Sequence, residues 1–323
     1  MMQQLMAIAT AQKMSNFVTV TVPATTANIG PGFDCIGAAL TLYNRLSFSL
    51  LPSSTQQSSS TVEISVTGVE ADRVSTDSDN LAYQAFTKLY QHLNQTPPAV
   101  KIQIELGVPL ARGLGSSATA IVGGLLAANA LADYPLSLAE VTKLAIAIEG
   151  HPDNVVPALL GNCQLSVADD NRWEICDIPW HSDIIPVVAI PNFELSTAEA
   201  RRVLPTEYSK ADAIFNTAHL GLLVRGLATG HRQWLQVALA DRIHQPYRYC
   251  LIHGYEAVQT AAIAAGAMGL VISGAGPTLL ALTDRENAKT VATAMTTAWK
   301  QQDIEANVQP LAIDTQGARI DTE

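Results

Sequence analysis

The chain has 323 residues, of which 48% are hydrophobic and 15% are charged, and its formal net charge at pH 7 is −10. This composition supports a large buried core and excludes a mostly disordered chain. The acidic balance argues against nucleic acid or an anionic membrane surface as the main partner, although a nucleotide pocket needs only local positive potential.

Four widely spaced cysteines, Cys35, Cys163, Cys176 and Cys250, show no metal-binding spacing. They indicate reduced thiols, and we therefore expect a cytoplasmic protein. No apolar run approaches the ~20 residues of a membrane-spanning helix, so we expect no membrane partner.

Periodic apolar residues predict strands and helices in clusters, which favours an α+β architecture. Strands are predicted at 17–23, 35–50, 62–68, 100–110, 173–179 and 183–191, and as a pair within 269–283. Helices are predicted at 77–94, 120–131 and 137–150, from about 195, through 210–240, and as two short pieces within 241–266. Asp77 to Asp79 are cap candidates for the first helix, and Ser137 with Glu140 forms a capping-box pattern for the third.

Polar segments and changes in composition along the chain predict the domain organisation. We expect a disordered tail at 1–16, a mobile polar loop at 52–60, and a terminal strand and tail over the last fifteen or so residues. The best boundary lies near 162–182, which gives an N-terminal domain of 17–170 and a C-terminal domain of 171–323.

The most informative segment is 109–119, PLARGLGSSAT, which leads into the small-residue helix at 120–131. Its glycines let backbone N–H groups approach an anion, its serines add hydroxyls, and the helix start adds partial positive charge. It has neither the Gly-Lys-Ser/Thr of a P-loop nor the third glycine of a dinucleotide fingerprint. The alternative is a tight turn with serine caps. We predict a polyphosphate site of another type, formed by Pro109, Leu110, Ala111, Arg112, Gly113, Leu114, Gly115, Ser116, Ser117, Ala118 and Thr119.

Like 109–119, the segment 149–154 is an island of polar or glycine-rich sequence in a largely apolar chain, and it reads EGHPDN. Glu149 ends a helix, and His151, Asp153 and Asn154 follow in a loop that contains proline. A carboxylate here could bind Mg²⁺ together with phosphate oxygens, or orient or deprotonate a hydroxyl. The alternative is an ordinary helix exit with Asp153 or Asn154 as a cap.

Two more islands and two arginines complete the candidates. The segment 23–37 places Asn28 and Asp34 on a loop, and 273–278, SGAGPT, includes Gly274 between two apolar strands. Each is either a plain turn or a backbone that approaches a ligand. Arg201 and Arg248 can pair bidentately with a carboxylate, although a solvated surface position is the alternative for either one.

PLARGLGSSAT resembles the second motif of the GHMP kinases, and the segments 23–37 and 273–278 resemble their first and third motifs, in the same order. PATTANIGPGFDCIGAAL, EGHPDN, STAEARRVLP and HQPYR are similar to homoserine kinases within that superfamily. The resemblance implies an N-terminal domain like domain 2 of ribosomal protein S5, with a left-handed βαβ crossover, and a ferredoxin-like C-terminal domain. It also implies a transferase that phosphorylates the side-chain hydroxyl of L-homoserine with ATP and Mg²⁺, in threonine biosynthesis.

The resemblance also implies residue roles. It assigns residues 109–119 to the ATP phosphates, Asn80 to the neighbourhood of the adenine, and Ser117 and Glu149 to Mg²⁺. It assigns substrate contacts to Asn28, Asp34, His151, Arg201, Arg248 and Gly274. The arginines suit the substrate carboxylate, Asp34 its ammonium group, and Asn28 the reacting hydroxyl. In some homoserine kinases more residues separate the glutamate from the histidine than in the EGH of this chain.

Asp153 and Asn154, with Asn28, are the candidate catalytic residues, and our hypothesis is that Asp153 positions the hydroxyl rather than deprotonating it. One alternative function is another small-molecule GHMP kinase, of the mevalonate type. The other is a non-catalytic ligand sensor of the same fold. A homodimer is expected by analogy.

Overall fold

The computed structural model describes residues 16–52, 61–170 and 172–321. The tail expected at 1–16 and the loop expected at 52–60 therefore lie outside the described residues, apart from residues 16 and 52. Within these ranges no helix is long and apolar enough to cross a membrane.

The first sheet has seven strands, in the order β11-β1-β2-β4-β3, and β2 also pairs with β5, which pairs with β6. Strands β3 and β4 are parallel, and α1 connects them, whereas the other pairs are antiparallel. The strands are β1 (Phe17–Ala27), β2 (Ile36–Leu50), β3 (Val62–Gly68), β4 (Val100–Leu106), β5 (Cys163–Asp169), β6 (Arg172–Ile178) and β11 (Arg319–Asp321).

Four helices pack on this sheet: α1 (Leu81–His92), α2 (Ser116–Leu131), α3 (Leu138–Glu149) and α4 (Pro152–Leu160). Helix α2 is buried on nearly all sides because its residues are small and apolar. The Ser137 and Glu140 capping box at the start of α3 is confirmed. The cap of α1 is Asn80, not one of the residues Asp77 to Asp79.

The second sheet is antiparallel, in the order β10-β7-β9-β8. Its alternate residues enter two separate apolar cores, for example Val188 and Leu280 on one face and Val187 and Leu279 on the other. Burial on both faces explains why these strands are continuously apolar. The elements are β7 (Ile185–Pro191), β8 (Gly269–Ile272), β9 (Leu279–Thr283), β10 (Ala306–Pro310), α5 (Thr197–Arg202), α6 (Lys210–Thr229), α7 (Arg232–Ala238), α8 (Gln245–Arg248), α9 (Tyr255–Ala264) and α10 (Ala288–Lys300).

The predicted α+β class is confirmed, whereas the loop predicted at residues 24–27 was wrong. The chain passes from the first sheet to the second between Ile178 and Ile185, after the β5–β6 hairpin, and the domain ranges 17–170 and 171–323 stay predictions. The C-terminal strand returns to the first sheet, where Ile320 pairs with Val20. Residues 24–27, expected in a loop, continue β1 because they pair with β2 across a register shift.

Candidate active site

A cavity of about 330 Å³ lies where the two halves of the chain meet. Its walls come from the β1–β2 connection, the glycine loop 109–119, the α3–α4 junction, α5, α8 and the β8–β9 turn. The structure therefore brings together the four islands and the two arginines that the sequence analysis selected.

The glycine loop presents a row of free donors. Within the described ranges, no protein acceptor takes the backbone N–H groups of residues 113–118, which end in the first turn of α2. Gly113 and Gly115 have φ values of 75° and 67°, which favour glycine. A Cβ at Gly113 would also clash with the carbonyl of Ser273. The loop is therefore shaped to direct amides at an anion.

Only part of the predicted loop borders the cavity, namely Ala111, Arg112, Gly113, Gly115, Ser116 and Ser117. Pro109, Leu110, Leu114, Ala118 and Thr119 do not. The side chains of Leu114 and Ala118 fill apolar cores. The Thr119 hydroxyl donates to the Ser116 carbonyl and accepts from Asn44, so these residues shape the loop instead.

Asn80 is also outside the cavity lining. Its side-chain oxygen accepts the N–H groups of Ala82 and Tyr83, and its amide nitrogen donates to the Ser75 carbonyl. The residue is 3% exposed. Its role as the N-cap of α1 uses the amide, and the geometry gives no support to an adenine contact by this side chain.

Ser117 and Glu149 face each other at the cavity, and the serine hydroxyl donates to Oε1 of Glu149 at 2.7 Å. Burial raises the pKa of Glu149, and the hydrogen bond from Ser117 opposes that effect. In the described part of the chain no cluster of three His, Cys, Asp or Glu side chains could hold a metal. One carboxylate and one hydroxyl beside a phosphate site nevertheless fit Mg²⁺, which takes few protein ligands and completes its shell with phosphate oxygens and water.

The EGHPDN segment is not the loop that we expected beyond Gly150. Pro152 begins α4, so Asp153 and Asn154 lie in its first turn. Proline is favourable there because the first N–H of a helix has no partner in any case. Asp153 is 2% exposed, and its Oδ1 lies 2.9 Å from Nδ1 of His151. This hydrogen bond raises the pKa of His151.

Asn28 and Asp34 both adopt positive φ, at 59° and 56°. The side-chain oxygen of Asn28 accepts the Asp34 N–H at 2.8 Å, and its amide nitrogen donates to the Gly274 carbonyl at 2.9 Å. Asn28 thus joins the first motif to the third. Ser273 joins the third motif to the glycine loop, because its hydroxyl donates to the Gly113 carbonyl at 2.7 Å.

The two arginines differ in their partners. Arg201 forms a bidentate pair with Asp34, at 2.7 and 3.0 Å, whereas Arg248 has no carboxylate within 4.0 Å in the described structure. Arg248 is 1% exposed and donates to the carbonyls of Ala200 and Gly274. Burial lowers the pKa of Arg248 to about 10. A buried cation without a counter-ion is suited to an anionic ligand.

Several residues at or beside the site were not predicted from the sequence. Ser196 and Thr197, at the start of α5, border the cavity, and the capping-box pattern from Ser196 to Glu199 could have located that helix start. The Thr25 hydroxyl donates to the side-chain oxygen of Asn154 at 2.8 Å. No local signal indicates Thr25, because its partner lies 129 residues away.

Family comparisons agree with this geometry. A family model for the GHMP kinases N terminal domain matches residues 80–162, and one for the GHMP kinases C terminal region matches residues 222–301. A crystal structure of homoserine kinase from Cytophaga hutchinsonii superposes with a TM-score of 0.86 at 28% identity, covering 97% of this chain and 99% of that one. Mevalonate kinase of L. major, at 15% identity and a TM-score of 0.69, has the same fold.

Curated relatives are more similar still. Homoserine kinase of Trichormus variabilis is 68% identical over 301 residues, which are 93% of this chain and 98% of that protein. Homoserine kinase of Thermosynechococcus vestitus is 58% identical over 302 residues, with the same two coverages. The chain therefore belongs to the GHMP kinase family and, within it, to the homoserine kinases.

Proposed function

We propose that this enzyme transfers the γ-phosphoryl group of ATP to the side-chain hydroxyl of L-homoserine and forms O-phospho-L-homoserine for threonine biosynthesis. The observation that carries the proposal is the juxtaposition, in one cavity, of the free N–H groups of Gly113, Gly115, Ser116 and Ser117 and the guanidinium of Arg248, which has no carboxylate partner in the described structure. The first suits a polyphosphate and the second a carboxylate. Relatives named homoserine kinase at 58–68% identity support the same substrate.

The glycine loop would hold the β- and γ-phosphates. Its amides and the start of α2 supply positive potential where a P-loop would use a lysine. Ser117 and Glu149 would hold Mg²⁺, which neutralises phosphate charge when it is bound. The raised pKa of Glu149 agrees with a carboxylate whose counter-charge comes from a ligand.

At the other side of the cavity, Arg248 would bind the carboxylate of homoserine. Arg201 already pairs with Asp34, so the Asp34 carboxylate would bind the substrate ammonium group while it keeps its hydrogen bonds to Arg201. Arg201 and Asp34 would therefore contact the substrate as a pair. The amide of Asn28 is used within the protein, and this residue would act by holding the Asp34 and Gly274 backbone.

Asp153 and His151 would position the reacting hydroxyl. The Asp153 carboxylate is held by His151 and by the side-chain amide of Asn154, which fixes it at the cavity wall. Alignment and charge neutralisation supply most of the rate in phosphoryl transfer, so a dedicated base is not required. We further propose that the enzyme is cytoplasmic, because its four cysteines are free thiols, and that it forms a homodimer by analogy with homoserine kinases.

The test is product formation by the purified protein with Mg-ATP and L-homoserine, followed by ³¹P NMR and mass spectrometry. We expect O-phospho-L-homoserine with homoserine, no product with mevalonate or L-serine, and loss of activity after metal chelation that added Mg²⁺ restores. Hydrolysis of ATP without a phosphorylated amino acid would contradict the proposal, and binding without turnover would favour the sensor alternative.

A further inference from the structure

Arg112, which the sequence analysis assigned to the ATP phosphates, is engaged by the protein itself. It is 6% exposed although it borders the cavity. Five protein oxygens lie within 3.4 Å of its guanidinium, which matches the five N–H donors that arginine carries. The partners are the carbonyls of Pro191 at 3.0 Å, Leu110 at 2.8 Å and Asn192 at 3.4 Å, and carboxylate oxygens of Glu70 at 3.1 Å and Glu194 at 3.0 Å.

Glu70 holds the same loop from a second side. Its Oε1 pairs with Arg112, and its Oε2 accepts the Leu110 N–H at 2.8 Å. Arg73 pairs with both Glu70 and Glu194 on the outer side of this group. The four side chains therefore form a closed set of alternating charges around one end of the glycine loop.

The partners of Arg112 at residues 191–194 lead directly into the substrate side of the cavity. The next residue, Leu195, donates its N–H to the Ala111 carbonyl at 3.3 Å. Leu195 borders the cavity, as do Ser196 and Thr197, and α5 carries Arg201. Arg112 thus links the loop that presents the amides to the segment that carries the substrate-side arginine.

We infer that Arg112 is a positioning residue, which sets the distance between the bound triphosphate and the bound amino acid without contacting either. The inference rests on the proposed function. A rate that depends on alignment is sensitive to such a link, because a displacement of about 1 Å far from the chemistry can cost ~10²-fold. A direct phosphate ligand would instead contribute mainly to ATP affinity.

The experiment compares steady-state kinetics of Arg112→Met, Arg112→Lys and a matched control, Arg73→Met. We expect kcat of Arg112→Met to fall by about 10²-fold, with both KM values within about threefold of wild type. Arg112→Lys should recover part of kcat, because an ammonium retains one carboxylate but not the planar fork. Arg73→Met removes an exposed cation of the same group that does not touch the loop, and its kcat should stay within about threefold.

A rise in the ATP KM with unchanged kcat would overturn the inference and make Arg112 a direct ATP ligand. Wild-type kcat in Arg112→Met would overturn it as well. If Arg112→Met does not fold, Glu194→Gln removes one partner at an exposed position, and we expect a smaller fall in kcat with the same unchanged KM values. Failure of the proposed function is distinct, because wild type would then be inactive towards homoserine.

Discussion

Replacing Arg248 by methionine separates the stability of this protein from its function. The guanidinium is 1% exposed, is surrounded by backbone carbonyls and His244, and has no carboxylate partner in the described structure. Methionine keeps much of the volume and removes the charge. The substitution should therefore relieve an electrostatic cost in the free enzyme and remove the substrate clamp.

The cost follows from the pKa of Arg248, which burial lowers from 12.5 to about 10. At about 1.4 kcal/mol for each pKa unit, the charged form is disfavoured by roughly 3 kcal/mol in the folded state. The cost is fully present at neutral pH, since arginine is protonated in both states below pH 10. Loss of the hydrogen bonds to Ala200 and Gly274 offsets about 2 kcal/mol of the gain.

We therefore expect the unfolding free energy of ligand-free Arg248→Met to equal or exceed that of wild type by about 1 kcal/mol. Losing one partner of a desolvated charge pair costs about 2–5 kcal/mol, so the homoserine KM should rise roughly 30-fold or more. Arg248→Lys should give an intermediate KM, because lysine lacks the fork. Urea unfolding and steady-state kinetics at saturating Mg-ATP measure the two effects.

Arg319→Met is the matched control, because Arg319 donates to the buried carboxylate of Asp314 at 3.0 Å, away from the cavity. It should lose about 1–2 kcal/mol of stability and keep its homoserine KM. Two results would refute the reasoning for Arg248. One is a homoserine KM within threefold of wild type in Arg248→Met, and the other is a stability loss of more than about 3 kcal/mol in the free protein.

Three further predictions concern acidic residues. Glu149→Gln should raise the Mg²⁺ concentration for half-maximal activity at least about tenfold, whereas the control Glu140→Gln on the same helix should not. If Glu149→Gln and wild type need the same Mg²⁺ concentration, Glu149 is not a metal ligand. Asp153→Asn should lower kcat only about tenfold, and a loss of ~10²–10⁴-fold would indicate a required general base. Burial raises the pKa of Asp314, but hydrogen bonds from Tyr43, two backbone N–H groups and an arginine outweigh it, so the net pKa is lowered. Asp314 therefore stabilises the fold above its ordinary pKa of 3.8, and this contribution is lost as pH falls through the lower folded value. The difference in urea stability between wild type and Asp314→Asn should shrink below about pH 3.8, and a pH-independent difference would contradict this.

Local sequence patterns determined most elements of the fold. Alternation in β1 and β4 and the capping box of α3 depend on neighbours within a few residues, so their physics is contained in short segments. The glycine loop was identified for the same reason, because Gly113 and Gly115 and the start of α2 are local features. Helix α10 and the return of β11 to the first sheet were not predicted.

The sequence by itself determined which segments carry polar chemistry: four islands and two arginines that meet in one cavity. Only the tertiary structure decided what each side chain does there. Arg201 pairs with Asp34 across 167 residues, and Arg248 has no carboxylate partner among the described residues. Arg112 is held by protein oxygens that include those of Glu70 and Asn192, 42 and 80 positions away. The physical reason is that the N–H donors of an arginine are available to a ligand only when packing brings no protein oxygen within about 3 Å of them. Spacing along the chain does not specify which oxygens become those neighbours.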